Sequence, residues 1–87
     1  MSGDSKSLLE FPCDLPIKVF GRNDPGFRTA VLAVVATHFG VVYRVAEQQS
    51  KQGSYLSLTV TVRAESRAQA DAVYAALVAH ELVLMAL

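Results

Sequence analysis

SKQGSYLSLTVTVRA, residues 50–64, opens as a turn and continues as an amphipathic β-strand. Leu56, Leu58, Val60 and Val62 alternate with Tyr55, Ser57, Thr59, Thr61 and Arg63. This period of two belongs to a strand with one face buried and the other open. The remainder of the chain is placed by what covers the leucine–valine row and what is left for the tyrosine–threonine row.

Upstream, residues 15–20 (LPIKVF) predict a first strand ended by Gly21, with Leu15, Ile17 and Val19 inside and Lys18 and Phe20 outside. Asn23-Asp24-Pro25-Gly26 opens a helix. Asp24 is the expected N-cap, since its carboxylate can accept from free first-turn amides, and Pro25 suits the first helical position. The helix runs to about His38 on a stripe of Phe27, Val31, Val34 and His38, widened by Leu32 and Val35, with Gly40 expected just past its end.

Residues 41–49 predict a second strand with Val41, Tyr43 and Val45 inside and Arg44, Ala46 and Gln48 outside. Downstream of the quoted stretch, Ser66-Arg67-Ala68-Gln69 has the form of a capping box. It starts a second helix that buries Ala70, Val73, Leu77 and Val78, with Tyr74 beside them, and stops near His80 and Glu81. Residues 82–87 (LVLMAL) predict a last strand. The order is βαββαβ, which is the α+β, ferredoxin-like arrangement: a four-stranded antiparallel sheet with two helices on one face.

The 87 residues make one domain, whose residues 1–14 form a partly flexible N-terminal extension, polar over residues 1–7, in which Leu8, Leu9 and Phe11 are apolar anchors for one helical turn. Apolar residues are 52% and charged ones 18%, more apolar than a small domain can bury, so self-association or a protein partner is expected. Formal net charge is zero, which removes any overall field toward nucleic acid or an anionic membrane. Cys13 is the sole cysteine, excluding an internal disulfide and a cysteine-rich metal site, and it reads as a small packing residue. With no secretory leader pattern and no span-length apolar run, the expected location is the cytoplasm.

Two helices cover one side of a sheet, so function is expected on the other. That side should carry Lys18, Phe20, Arg44, Gln48, Tyr55, Ser57, Thr59, Thr61 and Arg63, three cations with no carboxylate among them. The last strand adds either Leu82, Leu84 and Ala86 or the complementary set. The expected interaction face is Lys18, Phe20, Arg44, Lys51, Tyr55, Arg63 and Leu84. His38 and His80 fall near helix C-termini, where the dipole favours positive charge, and have no ligand cluster beside them. No phosphate loop or catalytic constellation is present, so the chain reads as non-enzymatic with no cofactor. Lys51, Gly53 and Tyr55, with Phe20, echo the stacking strands of RNA-recognition motifs, and a single-stranded RNA surface is the alternative function.

Leu9-Glu10-Phe11-Pro12-Cys13-Asp14, Pro16-Ile17-Lys18-Val19-Phe20-Gly21, Ser50-Lys51 with Gly53-Ser54-Tyr55, and Met85-Ala86-Leu87 resemble the YbeD-like family of small bacterial proteins of unassigned function. The added Gln52 and the apolar Leu84 depart from it. The resemblance implies a ferredoxin-like fold similar to ACT regulatory domains, and so a regulatory or interaction module. ACT domains pair and commonly bind an amino acid at the turn after the first strand, to which Asn23, Asp24, Pro25, Gly26 and Phe27 correspond. It thereby implies a homodimer and a small-molecule effector at that turn, an amino acid or, because relatives are often encoded near lipoate-attachment genes, a lipoate-related acid. It assigns no catalytic residue.

Overall fold

The computed structural model describes residues 10–40 and 42–87. The elements are β1 (Cys13–Arg22), α1 (Phe27–His38), β2 (Val42–Gln49), β3 (Tyr55–Ala64), α2 (Arg67–Val78) and β4 (Val83–Ala86). The sheet order is β2-β3-β1-β4, with every neighbouring pair antiparallel. The architecture is the ferredoxin-like α+β fold read from the sequence.

β3 follows its alternation without exception: Leu56, Leu58, Val60, Val62 and Ala64 are buried beneath the helices. Leu15, Ile17 and Val19 lie beside them on β1, paired with Val62, Val60 and Leu58. Phe27, Val31 and Val35 of α1 and Ala70, Val73 and Leu77 of α2 close the core from above. Fully burying one such aliphatic or aromatic side chain contributes roughly 1.5–3 kcal/mol, so this one layer accounts for the drive to fold.

β1 is longer than its sequence suggests at both ends. Cys13 and Asp14 begin the strand instead of leading into it, and Gly21 lies inside it, buried. A Cβ at Gly21 would meet the Phe27 ring and come within 2.6 Å of the Leu82 carbonyl oxygen, so the residue is small because α1 and the β4 approach close on it. Pro16 is tolerated in β1 because Lys18 exchanges both backbone bonds with Leu87, at 3.0 and 2.8 Å. Two residues back, the Pro16 nitrogen points the same way, beyond the end of β4, where no carbonyl of the described residues waits for it.

Several expected boundaries and burials shift. The α-helix proper starts at Phe27 with Gly26 in the cap position, not at Pro25. Asp24 still serves the first turn: its carboxylate accepts from the Gly26 amide at 2.8 Å and its carbonyl from the Phe27 amide at 3.0 Å. α1 ends through an extended, buried Phe39, which the helical stripe did not include, and Gly40 adopts no left-handed conformation. Tyr43, expected inside, is 57% exposed because it is the extra residue of a bulge between Val42 and Arg44 that breaks the alternation of β2. Val42 and Val45 pack on the core instead, while Val41 lies outside the described residues. α2 ends at Val78, which is exposed rather than part of the apolar stripe. Glu10, Phe11 and Pro12 are not helical, and the Leu8 and Leu9 anchors lie outside the described residues.

Candidate functional site

The side of the sheet away from the helices is built from cross-strand pairs, whose side chains share a face. β1 and β3 contribute Asp14 with Arg63, Pro16 with Thr61, Lys18 with Thr59, Phe20 with Ser57, and Arg22 with Tyr55. β2 adds Arg44 beside Thr61, Ala46 beside Thr59 and Gln48 beside Ser57. On the other flank Met85 stands opposite Phe20, and Leu87 opposite Lys18.

Five of the expected interaction residues, Lys18, Phe20, Arg44, Tyr55 and Arg63, therefore do share this face. Lys51 sits in the β2–β3 turn. Leu84 is 60% exposed, but it is the unpaired residue of a bulge, since Phe20 pairs with Met85 and the next residue, Gly21, with Val83. The bulge makes Met85 the partner of Phe20, while Leu82 and Ala86 pack against the core. The face is also not free of acid. Asp14 lies on it and pairs with Arg63 at 3.3 Å, an exposed ion pair of small energetic weight. Arg22 brings a fourth cation. Both residues were legible in principle, because the alternation Asp14, Pro16, Lys18, Phe20, Arg22 continues past the ends assigned to the strand.

The two aromatic rings are already in use. The Lys18 ammonium lies 5.9 Å from the centroid of Phe20, and the Arg22 guanidinium 5.9 Å from that of Tyr55. Cations near ring faces are attracted by the ring quadrupole. Between the rings and the β2–β3 turn lies an open hollow of about 250 Å³, bordered by Lys18, Phe20, Gln48, Ser50, Tyr55 and Ser57.

The residues that carry the turn have local work. The Ser50 hydroxyl accepts from the Tyr55 amide at 3.1 Å, and Gly53 takes a φ of 76°, a conformation that favours glycine. Asn23 then braces the turn, donating its side-chain amide to the Gly53 carbonyl at 2.9 Å and its backbone amide to that of Ser54 at 2.9 Å. The turn read as an effector site thus has Asn23 and Asp24 engaged within the protein, and Phe27 is fully buried in the core.

A larger cavity of about 590 Å³ lies on the helix side, between α2, the start of β1 and the end of β4. Its walls are largely apolar (Phe11, Leu15, Ala70, Ala86, Leu87), and its charged groups, Arg67 and Asp71, lie 3.6 Å from each other across one turn of α2. Tyr74 borders it, and burial pushes its phenol above the ordinary value. Among the described residues no group of three or more His, Cys, Asp or Glu is placed to hold a metal ion. His38 Nδ1 lies 3.0 Å from the Val34 carbonyl oxygen and His80 Nδ1 accepts from the Leu82 amide, so both histidines have structural partners. No helix of the described residues is long and apolar enough to cross a membrane.

Residues 6–87 match the family model described as "Protein of unknown function (DUF493)". The chain belongs to this family. It is 45% identical to a UPF0250 protein of Paraburkholderia phytofirmans, over the whole length of both chains. It is 43% identical to a UPF0250 protein of Nitrosomonas europaea, over 94% of this chain and 97% of that one. A UPF0250 protein of Neisseria gonorrhoeae is 41% identical over 93% and 91%. The YbeD-like resemblance seen in the sequence is to these bacterial DUF493 proteins, whose names assign no activity.

Proposed function

We propose that this DUF493 protein is a non-enzymatic interaction module of the cytoplasm that binds another macromolecule on the open face of its sheet. One observation carries the reading: Phe20 and Met85 stand side by side as apolar residues on a face that the fold leaves uncovered. Met85 is 49% exposed there, and Tyr55, on the same face, 47%. Phe, Tyr, Met and Arg are the residue types enriched where protein surfaces meet, and here they adjoin one another. The face offers shape and contact but no nucleophile–base pair.

Protein fits this face better than single-stranded RNA. Base binding needs free ring faces, whereas Phe20 and Tyr55 carry Lys18 and Arg22 over theirs. Met85, beside Phe20, offers little to a base and much to apolar side chains. The effector reading of the turn from Asn23 to Phe27 has less support, because its polar groups already have partners.

The test is photo-crosslinking in the native cell, with a photoreactive residue replacing Met85 in one strain and Val78, exposed on α2, in another. Protein adducts from position 85 and not from position 78 are expected. Adducts equal from both positions, or RNA adducts from position 85, would contradict the reading.

A further inference from the structure

The charges of the molecule are sorted between its two sides. On the open face the register places Lys18, Arg22, Arg44 and Arg63 against the single carboxylate Asp14, an excess of three positive charges. The rest of the described residues carry three cations, Arg28, Lys51 and Arg67, against six carboxylates, Glu10, Asp24, Glu47, Glu65, Asp71 and Glu81. A neutral chain is thus folded into a polarised one. Two of the open-face cations adjoin the apolar pair: Lys18 and Arg22 flank Phe20 along β1, while Arg44 and Arg63 lie toward the other end of the face.

Resting on the reading above, we propose that the partner is an acidic segment of another protein, carrying aliphatic residues between its carboxylates, and not a second copy of this chain. Two copies meeting through this face about a two-fold axis would set one positive surface against the other, at a cost in repulsion for every charge brought close. Among the described residues a head-to-tail contact finds no matching acidic patch. Glu47 pairs with Arg28 at 2.8 Å and Asp71 lies beside Arg67, while Asp24, Glu65 and Glu81 sit in separate loops. An acidic, leucine-bearing segment satisfies both features, its carboxylates reaching the four cations and its side chains covering Phe20 and Met85. Approach is steered by the field and weakened by salt.

Fluorescence anisotropy with short labelled probes tests this on the full chain. The probes are a peptide of alternating Glu and Leu, the same peptide with Gln for every Glu, the same with Lys, and an oligouridylate; light scattering on the free protein accompanies them. The Glu peptide is expected to bind roughly ten-fold or more tightly than the Gln peptide at low salt, the difference closing as salt rises. The Arg22→Glu/Arg44→Glu double variant should lose that preference, while Arg67→Glu on α2 keeps it. Equal binding of Glu and Gln peptides that Phe20→Ser abolishes would overturn the acidic partner and leave the face as a docking surface. Binding that neither set of open-face variants alters, tighter binding of the oligouridylate, or no binding of any probe would overturn both. A dimer broken by Arg22→Glu/Arg44→Glu would overturn the exclusion of self-pairing. Because the Glu–Gln comparison uses the unaltered protein, it stands even if a variant fails to fold.

Discussion

Phe20 on β1 stands directly opposite Met85 on β4, on the side of the sheet that neither helix covers. The pair exists because Leu84 bulges out of the ladder and lets Met85, not Leu84, reach the row that Phe20 occupies. Neither side chain contributes to the packed layer between sheet and helices. Replacing both by serine is therefore expected to change unfolding free energy by less than about 1 kcal/mol in urea, the scale of strand preference alone. With the photoreactive residue at position 85, Phe20→Ser alone should weaken the cross-links formed from this face. A large loss of stability would show that the pair serves the fold instead.

Gly21 is the adjoining residue and has the opposite character. Its missing side chain is where the Phe27 ring and the Leu82 carbonyl sit. Gly21→Ala should cost about 1–3 kcal/mol, the range for overfilling a packed site, with no effect on the open face. Urea unfolding measures the loss, and an unchanged midpoint would mean that α1 shifts freely against β1.

Gln69 joins the two helices. Its side-chain oxygen accepts from the Glu65 amide at 2.7 Å, and its side-chain nitrogen donates to the His38 carbonyl at 3.0 Å, while its own amide donates to the Ser66 hydroxyl at 3.1 Å. The expected capping box is thus half realised, with Gln69 reaching one residue further back and across to the end of α1. Gln69→Glu keeps the acceptor and loses the donor, setting a carboxylate against the His38 carbonyl. A loss of about 1–3 kcal/mol at neutral pH is expected by chemical denaturation, and Gln69→Ala should cost a comparable amount.

Tyr74 gives a pH signature. Burial raises its phenol above 10.0, so the neutral form is favoured in the folded state. The unfolded chain loses that proton first, and the contribution to stability is complete below about pH 10 and is lost as pH rises through the folded value. Ultraviolet titration should show a tyrosine step above the ordinary value, and Tyr74→Phe should remove that step. Three indistinguishable tyrosines would contradict the burial.

The fold was legible because β3 states its two faces in ten consecutive residues, and because β1 and both helices repeat the same apolar logic. Tyr43 and Leu84 were misplaced for one reason. Each is the extra residue of a bulge, and alternation carries no mark of where a ladder skips. Phe39 was missed because it follows the last helical turn, where the stripe has already ended. On the open face, Asp14 and Arg22 were within reach of the pattern in β1, whereas Met85 depended on the bulge beside it. The block Ser50-Lys51 with Gly53-Ser54-Tyr55 suggested recognition, but Ser50, Gly53 and Asn23 show it building a turn.

Backbone amide chemical-shift mapping with the alternating Glu–Leu peptide tests the central claim most directly. The account predicts that perturbations concentrate at Lys18, Phe20 and Arg22, at Arg44, Tyr55, Ser57 and Arg63, and at Met85, leaving α1 and α2 unmoved. Perturbations centred on α2 and the cavity beside Tyr74, or on the turn from Asn23 to Phe27, would contradict it.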